Sequence, residues 1–121
     1  MKSYKDLTIW KKAMDIAEET YLLTQTFPQS EIYGLTSQMQ RASVSIPSNI
    51  AEGYNRTTTK DYVQFLHISK GSCAELETQL LLSCRLGYTS REKSETLFKL
   101  IEDEQVMLNA AILRLKDVKE R

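Results

Sequence analysis

Two charges of opposite sign stand where a helical chain is expected to hide apolar side chains, and they are the first candidates for chemistry. Arg41 is the only charged residue between positions 32 and 51, and Glu104 interrupts the apolar series Leu97, Leu100, Ile101, Leu108, Ala111, Leu115 and Val118. A carboxylate is costly to bury alone, so a cation is expected beside it. In an antiparallel bundle, reflecting position 104 through a turn near 88 or 89 reaches about 73, and reflecting 73 through 57 reaches 41, within a few residues. The levels predict that Arg41 pairs with Glu104, or with Glu75 or Glu77, inside one subunit or across a contact between two. Structural specificity is the expected role, because a catalytic one requires a cleft and a second reactive group. Arg41, Ser45, Asn49 and Glu52 also share a polar stripe about 90° from the apolar seam of their helix. Interhelical or intersubunit hydrogen bonding is the expected use of that stripe, and a ligand-facing strip is the other reading.

The inventory argues against several enzyme classes. His67 is the only histidine, so paired Glu-x-x-His ligands for a di-metal bundle cannot be assembled. A nucleolytic arginine five positions before that histidine is missing, since Tyr62 stands there. Gly-rich phosphate loops, G-x-S-x-G and Cys-x-x-Cys are absent too. The expectation is a non-enzymatic protein that holds neither metal nor cofactor.

Charge offers a different kind of site. Sixteen basic and sixteen acidic residues cancel over the whole chain, so any electrostatic partner must be met locally. The bundle end that gathers the N-terminus, the 54 to 59 loop and the C-terminus contains Lys2, Lys5, Lys11, Lys12, Arg56, Lys60, Arg114, Lys116, Lys119 and Arg121. Against these ten stand six acids, Asp6, Asp15, Glu52, Asp61, Asp117 and Glu120, giving 10 minus 6, or +4, and leaving −4 for the other end. Lys11, Lys12, Arg56 and Lys60 are the expected phosphate contacts, with Tyr4, Trp10 and Tyr54 close enough to stack a base. Ordinary solvated surface is the alternative.

These residues must be positioned by helices. The hydrophobic period predicts one all-α domain over residues 1–121, an antiparallel up-down-up-down four-helix bundle with helices at about 6–26, 30–53, 59–86 and 90–118. The first helix has two seams, Leu7, Trp10, Met14, Ala17 and Tyr21 at heptad spacing and Ile9, Ala13, Ile16 and Leu23 about 100° round from it. In the second, Leu35, Met39, Ala42, Ile46 and Ile50 face inward, Ser30 is the expected cap, and Pro47 predicts a kink or short break. The third is capped by Thr59, buries Tyr62, Leu66, Ser69, Cys73, Leu76, Leu80 and Ser83, and stops at Gly87; Ser90 caps the fourth. Outer faces are unusually apolar. Tyr33, Val44 and Ala51 cluster on the side of the second helix where a monomer would place Lys or Glu, and Gly71 costs its helix about 1 kcal/mol unless another backbone approaches it. All four read as an oligomer interface. Cys73 and Cys84 lie about 16 Å apart along one helix, beyond disulfide reach, as suits a reducing compartment. The charged start MKSYKDLTIWKK and the lack of a membrane-length apolar run predict a cytoplasmic protein.

Four stretches carry a family resemblance: Y-x-D-L-x-x-W from Tyr4, F-P-x-x-E-x-Y-G-L from Phe27, R-A-x-x-S-I-P-x-N-I-A-E-G from Arg41, and F-L-x-I-x-K-G-S-x-x-E-L-E from Phe65. Together they resemble the four-helix bundle family first noticed in intervening sequences of bacterial 23S ribosomal RNA genes. Ser69 and Cys73 depart from its pattern, which has Ala and a less particular small or apolar residue there. The resemblance implies homopentameric barrels and a similarity to the accessory variability proteins of diversity-generating retroelements, which bind nucleic acid and a reverse transcriptase. It implies no catalytic residues. The combined expectation is a homopentamer whose basic rim or channel binds structured RNA or DNA. The alternatives are a scaffold that docks a partner enzyme such as a reverse transcriptase without touching nucleic acid and, less favoured, a hydrolase or nuclease.

Overall fold

In the computed structural model, which describes residues 3–120 and side chains as far as residue 117, the described residues form four α-helices and no strand. They are α1 (Thr8–Thr24), α2 (Leu35–Tyr54), α3 (Thr59–Arg85) and α4 (Arg91–Glu120). Lys2, Val118, Lys119, Glu120 and Arg121, which entered the seam or the basic end above, lie outside the described side chains. Helix α1 packs on α2 and α4, α2 on α3, and α3 on α4. Phe27, after α1, meets Tyr88, after α3, with ring centroids 5.6 Å apart, while Tyr54 and Tyr62 meet at the opposite end. Consecutive helices therefore run antiparallel in a four-helix bundle, as the short loops require.

The inward stripe of α1 differs from its heptad seam. Ile9, Ala13, Ile16, Thr20 and Thr24 are buried, whereas Met14 and Tyr21 are exposed. The two threonines disguise this face in the sequence. Their hydroxyls donate to the Ile16 and Thr20 carbonyls at 2.8 and 2.9 Å, so both are buried with their polar atoms satisfied.

Helix α2 starts later than expected, because residues Gln29–Glu31 form a 3-10 turn and Ser30 caps nothing. Glu31 takes the capping role. Its carboxylate accepts from the Leu35 N–H at 2.9 Å and from the Tyr88 hydroxyl at 2.8 Å, tying the start of α2 to the turn between α3 and α4. The helix then runs through the buried Pro47 without a break, and Ser69 of α3 donates to the Ile46 carbonyl beside it at 2.9 Å. Near the end of α2 the two backbones are close: a Cβ on Gly53 would stand 2.7 Å from Phe65 Cβ and 3.1 Å from the Tyr62 ring.

Helix α3 follows its predicted seam, with Leu66, Ser69, Cys73, Leu76, Leu80 and Ser83 buried and Tyr62 half-buried. Thr58, rather than Thr59, accepts from the Asp61 N–H. Gly87 ends the helix at φ 77°, a left-handed position where a side chain would be strained. Ser90 caps α4 as expected, accepting from Lys93 N–H at 3.1 Å. Both cysteines are free thiols, and burial, followed by the charges of Glu104 and Glu77, pushes Cys73 up to about 12.

Candidate nucleic-acid interface

At the end of the bundle that holds the start of α1, a groove of about 600 Å³ opens between three helices. Leu7, Thr8 and Ile9 bring one wall, Tyr62 of α3 another, and Met107, Ala110, Ala111, Arg114 and Leu115 of α4 the third. The trough exists because α4 presents two consecutive alanines where α1 is only beginning, so neither helix fills the space with a large side chain. Among the described residues Arg114 is the only charged one in the lining. It is exposed and forms no ion pair among the described residues. The Tyr62 hydroxyl is shifted upward by burial and by Tyr54, whose ring meets it edge-on at 6.0 Å, while Arg114 pulls the other way. The guanidinium is thus close enough to act on the phenol.

The four cations expected to contact phosphate are differently engaged. Lys11 and Lys60 are exposed, and Lys12 is half-buried with its charge acting on Glu104. Arg56 is committed already: its guanidinium lies 4.8 Å from the Phe65 ring centroid and pairs with Glu52 at 3.0 Å. An exposed i,i+4 pair of this kind is worth little to stability, yet the Glu52 carboxylate offsets the positive charge that Arg56 could offer a phosphate. Tyr4 and Trp10 meet edge-on at 5.5 Å, with Lys5 over the Tyr4 ring. Arg114, counted in the sequence only as one of ten basic residues, is the cation that the fold places beside an open apolar surface. The signal available in the sequence was the small pair Ala110 and Ala111, one helical turn before it.

Arg41 and Glu104 do not meet within the subunit. Arg41 is exposed on a polar groove it shares with Tyr33, Ser37, Gln38, Ala42, Ser45 and Glu75, and it has no ion pair among the described residues. Glu104 is 0% exposed, and neither carboxylate oxygen has a hydrogen-bond partner. Burial pushes its carboxyl up to about 8, against a smaller opposing pull from Lys12. The reflection found the right level, since Glu104 acts on Cys73, but a level does not say which way a side chain faces. The predicted polar network also divides. Asn49 donates to the Ser45 carbonyl and hydroxyl at 2.8 and 2.9 Å, and Ser72 of α3 joins them at 2.8 Å, whereas Glu52 turns to Arg56 and no hydrogen bond or ion pair joins Glu75 or Glu77 to the three. Among the described residues no three His, Cys, Asp or Glu side chains gather where they could hold a metal ion, and His67 is exposed.

Residues 5–110 match the family model described as 23S rRNA-intervening sequence protein. The chain belongs to that family. A crystal structure of a protein of unknown function from the S23 ribosomal protein family of Bacteroides thetaiotaomicron superposes on this 23S rRNA-intervening sequence protein with a TM-score of 0.78. The match covers 87% of this chain and 98% of that one at 22% identity, a likeness of fold. Comparison with curated proteins gives no match.

The predicted contact residues of this intervening-sequence protein are on its surface. Tyr33 is 97% exposed, Val44 is exposed, Ala51 is half-buried, and a Cβ on Gly71 would meet nothing within 4 Å. No backbone inside the subunit approaches Gly71. Val44 and Ala51 join Pro47 and Ser48 on one side of a second groove, faced by Tyr4, Trp10, Met14 and Ala17, and none of these residues is charged. The outward heptad seam of α1 is one wall of it. No helix among the described residues is long and apolar enough to cross a membrane.

Proposed function

We propose that this intervening-sequence protein is a non-catalytic, homo-oligomeric binder of structured RNA or DNA that works in the cytoplasm. The single observation that carries the reading is Arg114: a guanidinium with no ion pair among the described residues, at the lip of an apolar groove on the bundle end where Lys11, Lys12 and Lys60 also stand. Cations supply affinity for the phosphate backbone, and an apolar aromatic surface supplies a place for a base. Arg56 drops behind Arg114 because it is already paired. The test is binding of a structured RNA at several salt concentrations. Replacing Lys11, Lys12, Lys60 and Arg114 by Ala should weaken binding and flatten its salt dependence while the mass in solution stays the same. Equal affinity in that variant removes the assignment.

The oligomer, a pentamer in this reading, is supported by the charge-free groove between α1 and α2. Light scattering with and without nuclease treatment measures it, and Val44→Glu or Gly71→Leu should split it while helical content persists. A second reading draws on the same groove: a scaffold that docks a partner protein such as a reverse transcriptase, with nucleic acid touching only the partner. Partner recovery that survives nuclease treatment, together with no affinity of the pure protein for RNA or DNA, would favour it.

A further inference from the structure

A basic surface alone does not choose between duplex and single-stranded nucleic acid, but the groove beside it does. Among the described residues no carboxylate lines it, its one cation is unpaired, and Tyr62 stands half-buried in its wall. Its volume of about 600 Å³ falls within the roughly 300–1,000 Å³ usual for sites that enclose small molecules. A continuous duplex offers such a trough phosphates only, because its base faces are stacked on one another. An unstacked nucleotide offers a flat apolar face and an adjoining phosphate together, the two chemistries that the groove combines.

We infer that the groove between the start of α1 and the last turns of α4 receives one unpaired nucleotide, its base against Tyr62, Met107 and Ala110 and its phosphate on Arg114. Lys60, just before Tyr62, and Lys11, one turn beyond Leu7, hold neighbouring phosphates of the same strand. The ligand is therefore a loop, bulge or strand end. The inference rests on the reading that the basic end binds nucleic acid, and it uses a π face and a phosphate, which RNA and DNA share.

The experiment compares, at low salt, a hairpin carrying a single bulged aminopurine with the same stem lacking the bulge, each as RNA and as DNA. The full chain should bind the bulged probe about tenfold more tightly, the weight of one stacked base, and should change the aminopurine fluorescence. Ala110→Phe, which fills the trough, should erase that preference and leave stem binding intact. Arg114→Ala, a surface change, should reduce both the preference and the fluorescence change, and it decides the matter if the filled variant does not fold. Equal binding of bulged and continuous stems overturns the nucleotide pocket while the basic-end reading stands. A preference that survives both substitutions also overturns it. Binding of no probe overturns both readings.

Discussion

Glu104 and Arg114 stand on the same helix, roughly 15 Å apart at 1.5 Å per residue, and neither has an ionic partner among the described residues. Glu104 is sealed in the core, where burial raises its carboxyl to about 8 and, with no hydrogen-bond partner to offset it, weighs on stability. Arg114 sits at the lip of an open groove, where water meets its donors and the missing partner leaves capacity for a ligand. The same vacancy is thus a folding cost at one site and a binding opportunity at the other. What separates them is access to solvent.

The largest expected effect lies with the buried acid. Between its ordinary 4.5 and about 8, the folded chain keeps a proton on Glu104 that the unfolded chain releases. Stability should therefore fall as pH rises through this window, at up to about 1.4 kcal/mol per pH unit, and level off above pH 8. Urea midpoints at pH 5 and pH 8 measure the slope, and Glu104→Gln should flatten it. A variant as pH-sensitive as the parent would place the acid elsewhere.

Next comes the wall of the groove. Gly53→Ala should destabilise the fold by about 1–3 kcal/mol, because the new Cβ meets Phe65 Cβ, which cannot swing away, and crowds Tyr62. Thermal melting gives the size, and a neutral result would mean that α2 and α3 slide apart easily. Gly71→Ala makes a matched control at a position that the subunit itself leaves open, where the separated subunit should gain about 1 kcal/mol from helix propensity. The smallest change in stability belongs to the cations: Arg114→Ala and Arg41→Ala should each fall within about 0.5 kcal/mol of the parent. Only the Arg114 change should lower the salt slope of nucleic-acid binding, by about one. An equal loss of binding at Arg41 would erase the distinction drawn between the two grooves.

How much of this was legible follows from what a helical period encodes. In α3 small and large residues share one seam, and that seam is buried from Leu66 to Ser83 as the period predicts. In α1 two seams compete, and the one at heptad spacing turns Met14 and Tyr21 outward, while Thr20 and Thr24 extend the buried stripe because they satisfy their hydroxyls on their own helix. The start of α2 was hidden because Glu31 caps from four residues away, where the sequence pattern favours Ser30 with a helix beginning directly after it. Within the subunit the Arg41–Glu104 pair does not form, for reasons of direction rather than level, since Glu104 is buried and Arg41 is exposed. The groove was the hardest feature to see, because it is made by what Ala110 and Ala111 leave out and by where α1 happens to begin.

Glu31 has a mechanical meaning as well. By holding the first turn of α2 and the Tyr88 hydroxyl at once, it makes the two loops at its end of the bundle move as one body. The molecule is then built like a clothes-peg with a fastened spring. Any splaying of the helices must begin at the opposite end, where Leu7, Tyr62 and Arg114 surround the groove, and amide exchange should quicken there first. Acid undoes the spring, because both hydrogen bonds hold the Glu31 carboxyl below its ordinary range and are lost as pH falls through that lowered value.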